Sequence, residues 1–263
     1  MENLFLNCES LQTVEFGENF STSKVVNMAS MFSECKTLRE IDLSVLDTSN
    51  VEDMNNLFSE CKMMTSINLS TFNTHNVKNM SSIFSECEAL ESVVFGNKFD
   101  TRNVTDMSSM FNNCHGLDTL DLSMFNTSNV VYMHEMFDRC SRLKLLSLGE
   151  NFITGSVEDM SDMFMYCRAI DSLDLTTFDT SKVTNMQNMF YDCDNLTAIY
   201  VIDTFVTTSV SEVGGKDMFY SCENLQGCAG TKYSEAQVSD KSYARIDHPE
   251  VDKPGYFSNK VGF

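Results

Sequence analysis

The sequence predicts an α/β solenoid, with a parallel β-sheet face, short helices on the opposite side, and about eight to nine rungs of 26–27 residues. Three observations carry that prediction. Phe-x-x-Cys recurs nine times, at Phe5/Cys8, Phe32/Cys35, Phe58/Cys61, Phe84/Cys87, Phe111/Cys114, Phe137/Cys140, Phe164/Cys167, Phe190/Cys193 and Phe219/Cys222. The cysteines are 27, 26, 26, 27, 26, 27, 26 and 29 residues apart. The same apolar columns return in each copy, so equivalent residues of successive copies are expected to touch.

Each element follows from one copy, Val25 to Asn50. Met28, Met31, Phe32 and Cys35 have the spacing i, i+3, i+4, i+7, which is one face of two helical turns and predicts a short helix. Asn27 precedes it, and the equivalent positions hold Asp53, Asn79, Asp106, Tyr132, Asp159 and Asn185, mostly N-cap residues. Next comes Leu38-x-x-Ile41-x-Leu43, repeated as Leu117/Leu120/Leu122, Leu143/Leu146/Leu148 and Ile170/Leu173/Leu175. The alternation of Ile41 and Leu43 with Glu40 and Asp42 is that of a half-buried strand. Strands at the same place on every rung must pair in parallel. Phe20, Leu46, Phe72, Phe99, Phe125, Phe152, Phe178 and Phe205 form a further apolar column, followed by Val25, Val51, Val77, Val104, Val130, Val157, Val183 and Val210. The 27-residue copies carry Phe16-Gly17-Glu18-Asn19-Phe20, Phe95-Gly96-Asn97-Lys98-Phe99 or Leu148-Gly149-Glu150-Asn151-Phe152, where glycine is expected to accommodate a wider turn.

Composition narrows the classes. The net charge of −20 argues against nucleic acid as partner, because phosphate needs a basic face. Apolar runs fall short of the ~20 residues that cross a bilayer, so this segment is not expected to insert in a membrane. Two prolines leave no obvious linker. The expected organisation is a repeat solenoid over residues 1–222 and a carboxy-terminal capping segment over 223–263. Met1, Leu4, Phe5 and Cys8 already fall on the helix columns, and excision from a longer protein is the favoured reading of that start. The cysteine column reads as buried free thiols serving as small apolar filler, with Cys228 outside it.

The Leu-x-x-Ile-x-Leu strands, the Phe-x-x-Cys segments and the connecting Phe-x-Thr-Ser-x-Val-x-x-Met resemble the BspA-like leucine-rich repeat surface proteins. FNTSNVVYMHEMF (Phe125 to Phe137) and FDTSKVTNMQNMF (Phe178 to Phe190) look like that repeat almost letter for letter. The tail motifs Gly230-Thr231-Lys232-Tyr233, Tyr243-Ala244-Arg245-Ile246-Asp247 and Lys253-Pro254-Gly255-Tyr256-Phe257 are similar to the segment that closes such arrays. The resemblance implies a leucine-rich-repeat fold, display at a cell surface or secretion, and adhesion to a host or other cell-surface protein. It transfers no catalytic residue.

His75, His115, His134 and His248 sit at unrelated repeat positions and read as surface residues without ligand spacing. No catalytic residues, metal ligands or cofactors are expected. The exposed strand positions are the candidate binding face, represented by Asp42, Asn68, Val94, Asp121, Leu145, Ser147, Asp174 and Tyr200. A threonine column, Thr22, Thr48, Thr74, Thr101, Thr127, Thr154, Thr180 and Thr207, is compatible with an ice-binding array but reads better as turn chemistry. The leading functional expectation is a non-enzymatic protein-interaction or adhesion module. A spacer rod that displays another domain and a calcium-dependent binding module are the alternatives.

Overall fold

The computed structural model describes residues 1–17, 19–248 and 251–260. Glu18 of the first glycine insertion, and residues 249–250 and 261–263 of the terminal segment, lie outside the described residues. The chain is a solenoid of stacked copies with parallel strands β1 (Ser66–Leu69), β2 (Ser92–Phe95), β3 (Thr119–Leu122), β4 (Leu145–Leu148), β5 (Ser172–Asp174) and β6 (Ala198–Val201). A last strand, β7 (Phe257–Asn259), returns from the terminal segment to pair with β6. The strand-bearing stretch therefore makes about five turns from β1 to β6, fewer than the eight to nine rungs expected. Leu38–Leu43 has the apolar alternation but no assigned strand.

The sheet is interrupted where the period lengthens. β1 pairs with β2, β3 with β4 and β5 with β6, each across a 26-residue step. The ladder is absent across the 27-residue steps from β2 to β3 and from β4 to β5, which contain Gly96 and Gly149. A Cβ on Gly96 would lie 2.1 Å from the carbonyl oxygen of Ser70, and one on Gly149 2.1 Å from that of Ser123. Glycine is required here because the chain passes against the preceding rung, and not because of a special backbone angle. At Gly17 an added Cβ would meet nothing within 4 Å.

The expected helices are absent. From Met28 to Cys35 the backbone forms successive turns, closed by Met31 N to Met28 O, Ser33 N to Ser30 O and Cys35 N to Phe32 O, each at 3.2 Å. Ser30 and Glu34 have φ of 53° and 60°, and every copy repeats this pair, as in Asn56 and Glu60 or Asp162 and Tyr166. Positive φ at the third residue of a turn is the type II requirement and is incompatible with a continuing right-handed helix. The alternate amides of Met28, Ser30, Phe32 and Glu34 donate instead to Asp53, Asn55, Leu57 and Ser59 of the next copy, at 2.8–3.0 Å. Turns repeating every four residues place apolar side chains at i, i+3, i+4, i+7, so over eight residues they imitate a 3.6-residue period. The predicted N-caps do accept amides, but within Asx turns: Ala29 N donates to Asn27 Oδ1 at 2.7 Å and Ser108 N to Asp106 Oδ1 at 2.9 Å. The same column builds a second parallel ladder of single bridges running from Asn27 through Asp53, Asn79, Asp106, Tyr132 and Asp159 to Asn185.

Between the two ladders lies one continuous core in which Met28, Phe32, Cys35 and Leu38, with their equivalents through Met186, Phe190, Cys193 and Leu196, are fully buried. The phenylalanines of the Phe-x-x-Cys column stack from Phe5 to Phe219. Across 26-residue steps the rings are near parallel, 2–6° apart with centroids at 5.7–6.2 Å. The 27-residue steps tilt them by 10–25° and shorten the spacing to 5.3–5.4 Å. The stack ends on edge-on contacts, Tyr256 and Phe257 against Phe219 at 5.1 and 6.0 Å. Asp247, itself buried, accepts from Thr231 N, Thr231 Oγ1 and Ala229 N at 2.6–3.0 Å and ties the terminal segment together.

Candidate binding surfaces

The β-strands fix the register of the sequence-predicted face. Asn68 stands opposite Val94, Asp121 opposite Ser147, Thr119 opposite Leu145, and Asp174 opposite Tyr200. Val94 and Leu145 are 50% and 59% exposed, enough to offer apolar surface to a partner. They occupy different columns two rungs apart. Tyr200 is half-buried, because Ser258 of β7 pairs beside it, and Lys260 forms an ion pair with Asp174. Asp42 lies in a copy without an assigned strand, beside a shallow hollow lined by Thr13, Glu15, Glu40 and Ile41.

The polar members of this face also hold the backbone. Asp42 Oδ1 accepts from Ser44 N at 2.9 Å, Asn68 Oδ1 from Ser70 N at 3.0 Å, Asp121 Oδ1 from Ser123 N at 2.9 Å and Asp174 Oδ1 from Thr176 N at 3.2 Å. The Ser44 hydroxyl and amide lower the carboxyl pKa of Asp42 below the ordinary value, and the Ser123 amide and hydroxyl do so at Asp121. At Asp174 burial alone would raise it, and bonds from Lys260 and Thr176 outweigh that effect.

The threonine column is buried, from Thr22 at 1% to Thr180 at 0% exposure, which removes the ice-binding arrangement. Its hydroxyls bond between copies rather than locally. Thr101 Oγ1 donates to Asn126 O at 2.9 Å and accepts from Asn126 N at 2.8 Å, and Thr154 makes the same pair with Asp179. The cysteine column plays a similar part: each thiol from Cys35 to Cys222 donates to the carbonyl of the preceding copy's phenylalanine, as Cys87 Sγ does to Phe58 O at 3.1 Å. All ten cysteines are free, with Cys8 and Cys228 exposed. Burial raises the column's pKa values, to about 11 at Cys35 and about 12 at Cys87.

Sequence reasoning missed the turn face. Tyr166, Tyr191 and Tyr220 follow one another there, with centroids 5.6 and 4.6 Å apart. The guanidinium carbons of Arg139 and Arg168 both lie 5.2 Å from the Tyr166 ring centroid. His115 and Ser141 complete a concavity of about 380 Å³ with them. The histidines are thus not uniformly surface residues: His115 and His134 are half-buried, and His134 Nδ1 is buried without a partner. The signal was present in sequence as Arg139 and Tyr166 entering a column that elsewhere holds Asn, Glu, Asp and Ser, and as Tyr191 and Tyr220 in consecutive copies of the neighbouring column. Among the described residues no group of three or more His, Cys, Asp or Glu side chains is placed to hold a metal ion, and no helix is long and apolar enough to cross a membrane.

The family described as Mycoplasma protein of unknown function, DUF285, matches residues 1–115, 67–147, 90–199 and 143–245. The chain belongs to it. These overlapping DUF285 matches run through the repeats of about 26 residues, including the BspA-like segments Phe125–Phe137 and Phe178–Phe190. Solved structures similar to this DUF285 chain include a leucine-rich repeat protein from Bacteroides ovatus ATCC 8483, 16% identical, with 86% of this chain and 68% of that one covered and a TM-score of 0.41. Another is a leucine rich cell surface protein from Faecalibacterium prausnitzii A2-165, 14% identical, covering 86% and 74% with a TM-score of 0.34. No curated protein matches the chain.

Proposed function

We propose that the chain is a non-enzymatic protein-interaction module, secreted or displayed at a microbial cell surface, that engages a host or other cell-surface protein through its exposed strand face. The observation that carries this reading is the exposure of Leu145 and Val94 on strands whose register is held by main-chain pairing. Apolar side chains on a backbone held by the ladder, with Asn68 opposite Val94 and Ser147 two residues along from Leu145, form the kind of surface that buries against a partner without much backbone ordering cost. One of the similar solved proteins is described as a cell surface protein, in keeping with that location.

The test is surface plasmon resonance against purified extracellular-matrix and cell-surface proteins, with the parent chain and the variants Leu145→Asp and Val94→Lys. Saturable binding that drops at least tenfold in either variant, at unchanged melting temperature, supports the proposal. Absence of saturable binding to every partner by folded protein counts against it. The spacer-rod alternative draws on the Asx bonds of Asp42, Asn68, Asp121 and Asp174, which give those side chains a structural task. It expects Asp121→Lys to leave any binding intact.

A further inference from the structure

A chain with net charge −20 concentrates two arginines, a histidine and three tyrosines on one stretch of its turn face. Arg139 is the point of interest. Its guanidinium makes no hydrogen bond to a described residue, and its nearest acidic neighbour is Asp138, Nε to Oδ2 at 4.0 Å. Arg168, by contrast, is already paired with Asp192 and lies 3.7 Å from Asp194. Both side chains are about half exposed, at 47% and 53%. His115 Nδ1 lies 2.9 Å from Arg139 O, so this nitrogen donates to the carbonyl and Nε2 remains for another group.

Two further features mark this stretch. Arg139 and Tyr166 have φ of 57° and 58°, as every copy does at this position, which is held elsewhere by Asn7, Glu34, Glu60, Glu86, Asn113, Asp192 and Ser221. Only here do consecutive copies place an arginine and an aromatic in that column, and the two side chains meet in one hollow. Beyond Tyr166, the Tyr191 and Tyr220 rings lie 13° from parallel, and Tyr220 is 45% exposed. The row from Arg139 to Tyr220 spans three steps, roughly 14 Å at about 4.8 Å per step.

We propose that the hollow formed by Arg139, Arg168, His115, Ser141 and Tyr166 binds a single oxyanion, carboxylate or sulfate, carried on a sugar whose ring packs along Tyr191 and Tyr220. Arg139 supplies the planar donor fork that matches an oxyanion. Tyr191 and Tyr220, stacked on each other, present their ring edges and hydroxyls as one amphipathic ledge along which the pyranose packs. Asp192 and Asp194 beside the hollow repel dense negative charge, which selects one isolated anion on an otherwise neutral saccharide over a polyanion. This surface is separate from the strand face, so the two assignments stand or fall independently.

The experiment titrates the whole chain in 0.15 M salt with 3′-sialyllactose, lactose 3′-sulfate, neutral lactose and a neutral-capped glutamyl tripeptide, read by calorimetry. At least one charged lactose is expected to bind ten or more times tighter than lactose, and the better of the two identifies the oxyanion. Arg139→Gln should weaken that binding at least tenfold, and Tyr220→Ala several-fold, with melting temperatures unchanged because both side chains are exposed. Charged lactoses that bind no better than lactose, or an unaffected Arg139→Gln, overturn the site. A glutamyl tripeptide that binds as well as the sugars, with Tyr220→Ala silent, overturns the saccharide assignment.

Discussion

Asp138 shows how far a single side chain can depart from its surface chemistry. It is 6% exposed, one carboxylate oxygen accepts from Asn112 at 3.2 Å, and the other has no partner. Burial pushes its pKa up to about 7; Arg139 opposes the rise, Glu135 and Asp162 add to it, and the Asn112 bond opposes it. The folded state then holds a proton that the unfolded chain, titrating near 3.9, has lost, so stability falls as pH rises from about 4 through 7. Asp138→Asn should therefore raise the melting temperature at pH 8 and change little at pH 4. The gain at pH 8 is on the order of a few kcal/mol of stability, since each tenfold difference in proton affinity between the two states is worth ~1.4 kcal/mol. An unchanged pH profile in thermal melts of the variant would count against this. The thiols give a second residue-scale outcome: in native protein at pH 8, mass spectrometry after iodoacetamide should find Cys8 and Cys228 alkylated and the column from Cys35 to Cys222 intact.

At the scale of elements, the segment that departs from expectation is Met28–Cys35. Its apolar columns are legible, but the period cannot separate an α-helix from turns of four, because the deciding quantity is where alternate amides find acceptors. Those acceptors lie in the next copy, about 25 residues away, as in Phe32 N to Leu57 O. The glycine insertions can be located from the sequence, whereas the reason for glycine, close approach to Ser70 and Ser123, is visible only when copies are stacked. Gly149→Ala should cost about 1–3 kcal/mol or more through overpacking, whereas Gly17→Ala should stay within about 0.5 kcal/mol. Equal chemical-denaturation midpoints for the two variants would contradict this account.

Over the whole molecule, interactions run between neighbouring copies, so stability is set by how completely each copy is covered. Phe5 is half-buried and Leu4 and Leu6 are 47% and 41% exposed, while the copies from Phe58 to Phe190 are closed on both sides. Hydrogen exchange should accordingly be fastest at amides of residues 3–11 and slowest near Phe111 to Phe164, where copies are stacked on both sides and the bridge ladder continues in both directions. Uniform protection along the chain would argue for a single cooperative block. At the other end β7 covers the open edge of β6, which blunts edge-to-edge pairing there.

The repeat, its columns, the parallel strand pairing and the buried thiols from Cys35 to Cys222 could be read from residues alone, because a solenoid turns sequence period into spatial contact, whereas Cys8 of the first copy lies exposed. Only the tertiary structure decided that the Phe-x-x-Cys segments are turns, that the threonines clasp the next copy, and that Arg139, Tyr166, Tyr191 and Tyr220 share one face. Each of these depends on which groups of adjacent copies come within hydrogen-bonding or ring-contact distance, and periodicity within a copy does not carry that information.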